Sequence, residues 1–396
     1  MSPISTDHSI DSLSLLSVGI AKDLMDRADK LRDRNEKANR KRVERLLKDQ
    51  NAIDATITLT DEVMRINSVN SAVQIFRQAA KKASVTGFGR INAMGLHGLS
   101  ALSDLAPKFV ISAVHNRVQA LSKDLILPAE SKVLKTHLSH RKSQGIALNI
   151  NVLGEAVLGD REAKERFDRI MEMIERPEVN YISVKLSAIV SQINIIDFEG
   201  SICRTAEKMR ALYREANLHN TFINLDMEEY RDLRMTVAAF KKVLSEPDFV
   251  SMSSGIVLQA YLPESHAAFE ELVEWSQSRY ASSGGQIKIR LVKGANLAME
   301  HAEAQLHGWT AAPYPSKADV DASYSRLIDL ALRPEYANAV RIGIASHNLF
   351  HLTWAVEVAK SRGVLDQLDI EMLEGMANAE ALAVTNSGQP DRKSVV

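Results

Sequence analysis

Lys185, Asp226, Gln259, Arg290, Lys293 and His347 each stand at or just past the end of a short apolar run. Cations dominate the set. A ring of lysine and arginine suits an anionic ligand, such as a carboxylate, a phosphate or a reduced flavin. Gly294 follows Lys293 directly, and a glycine there lets the backbone come close to a ligand. The helical pattern beginning after Asn296 can offer its N-terminal amides to the same anion. A primary amine at such a place also allows Schiff-base chemistry, so Lys185 or Lys293 as the nucleophile of a lyase is a second reading. Metal chemistry is not indicated, because His347 lacks a second histidine nearby on the same strand and Cys203 is the sole cysteine.

These residues need a scaffold that brings strand ends together. Seven short runs read as strands: 146–153, 180–187, 221–227, 255–262, 287–293, 340–346 and 368–373. Helical patterns follow them at 161–176, 200–217, 229–245, 264–281, 297–308, 322–333 and 350–362. Strict alternation of this kind predicts a parallel α/β sheet with helices outside, best matched by a (βα)8 TIM-type barrel. No G-x-G-x-x-G follows the first strand, which argues against a dinucleotide-binding open sheet. Before the barrel the pattern is all-helical, with helices read at 19–49, Thr60–Ala80 and Ala93–Leu121. The 19–49 stretch reads as a solvated helical arm, and "LILPAES" (Leu125–Ser131) as a linker. The domain reading is a helical arm and domain at 1–137 and a barrel at 138–390.

Alternation within each strand sorts the side chains. One face is aliphatic: Ile182 and Val184, Ile223 and Leu225, Ile287, Ile289 and Leu291, Ile342 and Ile344, Ile370 and Met372. It should meet the outer helices. The other face carries Asn149, Ser183, Lys185, Asn224, Asp226, Gln259, Lys288, Arg290, Arg341, Asp369 and Glu371. Buried charges must pair with one another or hold a ligand. Lys288, Arg341, Asp369 and Glu371 lie low in the strands and are expected to neutralise each other. The upper positions fall at the carboxyl ends, where barrel enzymes carry their sites.

Bulk properties narrow the class. Forty-nine basic and 50 acidic residues leave a net charge of −1, and no aromatic residues interleave with the cations of 19–49. Nucleic acid is therefore not an expected partner. A single cysteine fits a reducing cytosol, and neither a signal peptide nor a membrane-spanning run is evident. The expected location is cytoplasmic, with room for peripheral contact with an inner-membrane face.

The strand ends resemble the proline dehydrogenase domain of bacterial bifunctional proline-utilisation enzymes. The pieces are "LNINVLGEAVLG", "YISVKLSAI", "INLDMEEYRD", "GIVLQAYL", "RLVKGANLAMEHAEAQLHGW", "YPSKADVDASY", "IASHNLFHL" and "EMLEGMA", in order from 148 to 377. The resemblance implies an FAD-dependent (βα)8 barrel oxidising L-proline to Δ1-pyrroline-5-carboxylate, by hydride transfer from C5 to flavin N5. It implies a membrane quinone as electron acceptor and a fused aldehyde dehydrogenase half. Residue by residue it places Arg290 at the flavin N5 edge and Gln259 on the isoalloxazine. Lys293 and Gly294 fall at the phosphate and ribityl region, and Lys317, His347 and Asn348 around the pyrophosphate and adenosine half. Lys185 falls at the proline carboxylate, Asp226 beside substrate and flavin, and Leu373 near the proline ring. Glu155 would partner a neighbouring cation.

The chain departs from that pattern after "EMLEGMA". The family carries there a last strand and a helix with an arginine pair clamping the carboxylate, and neither matches here. The barrel is thus expected to be C-terminally incomplete, with open strand edges. Asp391–Val396, "DRKSVV", reads like the translation of a common sequencing-adapter string and is set aside as an artefact. A non-enzymatic fragment is the remaining alternative.

Overall fold

All seven predicted runs become parallel strands. In the computed structural model, which describes residues 10–66, 68–122, 131–152, 157–194, 196–388 and 393–395, the first run is broken into β1 (Ala147–Leu148) and β2 (Ile150–Asn151). Then come β3 (Tyr181–Lys185), β4 (Phe222–Asp226), β5 (Ser254–Gln259), β6 (Ile287–Val292), β7 (Val340–Ala345), β8 (Leu368–Met372) and β9 (Lys393–Val395). Each of β3 to β8 pairs in parallel with its neighbour in sequence. The sheet begins at β1 and ends at β2, which are two halves of one extended stretch divided at Asn149. Its ends therefore meet, and the strands form a ring.

β9 bridges the gap expected to stay open. Ser394 pairs with Glu371 on one side and Ala147 on the other. Among the described residues no helix follows β9. Glu155 and half of Asp391–Val396 (residues 391, 392 and 396) lie outside the described residues, as does most of the 125–131 linker.

Helices between the strands match the apolar periodicity to within a few residues: Asp160–Ile174, Phe198–Leu218, Tyr230–Leu244, Ser265–Ser283, Leu297–His307, Lys317–Ala331 and Leu349–Ser361. The aliphatic strand face packs against them. Ile182, Val184, Ile223, Leu225, Ile289, Leu291, Ile342 and Ile344 are all buried in one core. Burial of this kind is worth ~1.5–3 kcal/mol per large apolar side chain and holds the strands in register.

The chain divides into two compact units, residues 29–133 and residues 1–28 with 134–396. Leu13, Ala21, Leu24 and Ala28 belong to the barrel's core, so the first helix, Ile10–Leu31, is not the solvated arm that its charge suggested. Three helices read as continuous are broken, each at a local signal. Asp33 caps the helix Arg34–Leu46, splitting the 19–49 stretch. Ser68 caps Val69–Lys82, and Pro107 opens Pro107–Ser122. Gly95 lies inside the helix Arg90–Leu102, and the break before that helix falls at Gly89, at φ 78°.

Candidate functional site

Arg290 on β6 lies inside the ring, as strand alternation requires, and is 3% exposed. Its Nη1 donates to Asp226 Oδ1 at 2.9 Å and to Ser183 Oγ at 3.2 Å, and its Nη2 donates to Tyr181 Oη at 3.0 Å. Nε stands 2.6 Å from Glu371 Oε2, as an ion pair without hydrogen-bond alignment. Below it Lys288 Nζ lies 2.6 Å from Glu371 Oε1 and 2.8 Å from Asp369 Oδ2, and Arg341 Nη2 reaches Asp369 Oδ1 at 3.0 Å. Three cations thus meet three carboxylates inside the barrel, and the low charges neutralise each other as expected. Gly343 of β7 is the register partner of Arg290 and makes room for this network. A Cβ there would stand 2.5 Å from Glu371 Oε1 and 2.9 Å from Lys288 Cε.

Burial sets the protonation states. It would lower Lys288 and Arg290, but Glu371 and the other anions outweigh it, and both are held above their ordinary values. Burial pushes Tyr181 up to about 12, reinforced by Glu371. Asp226 is raised, chiefly by burial, against the pull of Arg290, Ser183 and Asn224.

The rim differs from the cationic ring expected from sequence. Lys185, at the end of β3, pairs with Glu228 at 2.9 Å and Glu229 at 3.3 Å, both just past β4. Lys293 pairs with Asp321, which also takes Lys317 at 2.9 Å. Carboxylates of the following loops and helices therefore match these lysines. His347 adds no charge: burial holds its imidazole below the usual range, and its Nε2 accepts the Leu373 N–H at 3.3 Å. Burial lowers Lys185 too, yet Glu228 and Glu229 leave it raised overall. It keeps its proton, which disfavours it as a Schiff-base nucleophile.

The loops are tied to one another. Ala260 N–H donates to Val292 O and Tyr261 N–H to Lys293 O, each at 2.8 Å, so the segments after β5 and β6 continue the pairing beyond the strands. Tyr261 Oη and Asn296 Nδ2 both donate to Glu228 O. Gly294 has φ 128°, and a Cβ on it would overlap the Tyr261 ring. The turn needs glycine both for its backbone and for that contact. Gln259 is buried, and its amide makes long contacts: Nε2 to Met227 Sδ at 3.6 Å, and Oε1 from Ala295 N–H at 3.4 Å. Asn348 caps the helix Leu349–Ser361 by accepting the Phe350 N–H at 3.0 Å. Leu373 is about half exposed. The next residue, Glu374, is anchored by Arg141 at 3.0 Å and His137 at 3.6 Å.

The structure thus joins Arg290 to Asp226, Lys293 to Lys317 through Asp321, and His347 to Leu373, all at the carboxyl ends of the strands. It leaves Lys185 with its own two glutamates. Sequence reading missed Tyr181, Glu228, Glu229 and Asp321 as partners. Strand parity places Tyr181 on the same inward face as Ser183 and Lys185, and its hydroxyl accepts from Arg290 there. The acidic pair Glu228–Glu229 directly after Asp226 was a visible signal for a rim counter-charge.

The sequence model of the family described as proline dehydrogenase matches residues 134–396. The chain belongs to the proline dehydrogenase family. Proline dehydrogenase 2 of Bacillus subtilis is 26% identical over 251 residues, which are 62% of this chain and 71% of that protein. The bifunctional protein PutA of Escherichia coli is 25% identical over 247 residues, 59% of this chain and 18% of that protein. Among solved structures, proline utilization A from Corynebacterium freiburgense is 46% identical with a TM-score of 0.67, covering 74% of this chain and 31% of that one. The Bdellovibrio bacteriovorus protein superposes with a TM-score of 0.80 over 97% of this chain and 39% of that one, at 23% identity, a likeness of fold. The chain therefore spans less than half the length of these proline utilization A proteins.

Proposed function

We propose that this proline dehydrogenase family member oxidises L-proline to Δ1-pyrroline-5-carboxylate with FAD as cofactor and a membrane quinone as final acceptor. The match of the family over residues 134–396 carries this reading, because it runs through every strand end that bears a candidate residue. When bound, FAD supplies the acceptor for the hydride that leaves proline C5, while the ring nitrogen gives up a proton.

The residues present suit such a group. Gln259 is a buried amide whose present contacts are long. Asn149 Oδ1, Asn224 Oδ1, His347 Nδ1 and His351 Nδ1 are buried without hydrogen-bond partners. Unsatisfied buried polar atoms of this kind are costly unless a ligand or water meets them. Gln259, Lys293, Gly294, Lys317, His347 and Asn348 would hold the cofactor, with Lys293 and Lys317 toward its phosphates. Arg290, fixed as a cation by Glu371 and Asp226, would stabilise negative charge at the reaction centre. Lys185, Asp226 and Leu373 would line the substrate. Lys185 would orient the proline carboxylate by charge, and Leu373 would exclude water from the ring.

Purified protein titrated with FAD tests this. Saturable uptake of flavin, followed by loss of its absorbance on anaerobic addition of L-proline, supports the reading. Protein that takes up no flavin, or a bound flavin that proline leaves unchanged, overturns it.

A further inference from the structure

The helical unit, residues 29–133, holds a cavity of about 480 Å3. That volume lies in the range of small-molecule sites, ~300–1,000 Å3. Its walls are apolar, built from Leu46, Leu59, Phe88, Leu96, Leu99 and Val114. The polar side chains on them are turned into their own helices. Thr56 Oγ1 donates to Ala52 O, Thr60 Oγ1 to Thr56 O, and Asn92 Nδ2 to Phe88 O.

Two lining residues break this pattern, Arg42 and Arg117. No carboxylate lines the cavity, and neither arginine has an ion pair or hydrogen bond among the described residues. They feel each other instead: burial first, and then the charge of Arg117, pull Arg42 below the usual guanidinium range. Arg42 is half-buried and Arg117 exposed at the mouth of the cavity, so the head of an anion whose tail enters it would meet two cations. Gly95 adds a second observation. It lies within the helix Arg90–Leu102, where glycine weakens a helix, yet nothing stands within 4 Å of where its Cβ would be. Packing does not require the glycine; its missing side chain opens the cavity wall. A π-helical turn, Thr58–Glu62, forms another wall.

We propose that this cavity binds a single-chain amphipathic anion, an alkyl carboxylate whose tail fills the apolar walls and whose head pairs with Arg42 and Arg117. Neither the family match, which begins at residue 134, nor the reaction proposed for the barrel bears on this site.

Calorimetric titration of the full chain with dodecanoate below its micelle concentration tests it. One molecule should bind per chain, with affinity falling about fourfold for each methylene removed in decanoate and octanoate. Arg42→Gln and Arg117→Gln should each weaken dodecanoate about tenfold while leaving the neutral dodecanol unaffected. Gly95→Leu should abolish binding of both without lowering the thermal midpoint, which separates a filled cavity from a misfolded unit. The proposal is overturned if dodecanoate fails to saturate, if dodecanol binds as tightly, or if the arginine variants bind unchanged. Self-association that Gly95→Leu removes would also overturn it, giving the cavity to a second copy of the chain.

Discussion

Arg290 meets Asp226, Glu371, Ser183 and Tyr181 inside the barrel, and its removal leaves Asp226 buried without a cation and Glu371 with Lys288 alone. Breaking a buried pair in this way costs ~3–5 kcal/mol, because the remaining charge is uncompensated. Arg290→Met should therefore lower the free energy of unfolding in urea by about that amount and reduce flavin retention. Adding Glu371→Gln should restore part of the stability but not the flavin. A single variant as stable as the parent would show that the network is solvated. Tyr181 gives a pH signature. Its folded value of about 12 lies above the unfolded value of ~10, so the unfolded chain binds fewer protons between them. Its contribution is fully present below pH ~10 and is lost as the pH rises through the folded value. Tyr181→Phe should cost ~0.5–1.5 kcal/mol at neutral pH through the lost bond to Arg290. It should also flatten the fall in urea midpoint across that alkaline window by about one proton. Parallel pH profiles for the two proteins would contradict the assignment.

At the scale of elements, the β6 turn depends on Gly294. Alanine there meets both a strained backbone, ~1–3 kcal/mol, and the Tyr261 ring. Gly294→Ala should lower the thermal midpoint and abolish flavin uptake together. Pairing it with Tyr261→Ala should recover stability by removing the clash, while uptake stays low because the loops after β5 and β6 lose their tie to Glu228. Recovery of both would mean that the loop tie does not matter to the site.

The whole barrel closes through β9. Lys393–Val395 gives hydrogen bonds to β8 and to β1, each worth ~0.5–1.5 kcal/mol net. Deleting residues 391–396 should lower the thermal midpoint and raise light scattering, since two strand edges are then exposed. An unchanged midpoint would show that the ring does not need this segment. A tail that reads as an artefact in sequence can occupy the place because backbone pairing asks little of side chains.

Periods of 2 and 3.6 were enough to determine the strands up to β8, the helices between them and the inward face, though not β9. Those periods express local geometry, and burial of the aliphatic face forces the register. The same parity located Arg290, Asp226, Lys288 and Glu371 inside the barrel. Which charges meet was not legible. Lys185 finds Glu228 and Glu229, and Lys293 finds Asp321, across loops whose course depends on packing. Only the tertiary structure turned an expected cationic rim into a balanced one, and only it revealed Gln259 as a buried amide with long contacts. Alternation tells which way a side chain points along its own strand; the partner at its tip comes from another strand or loop, placed by contacts that no local pattern encodes.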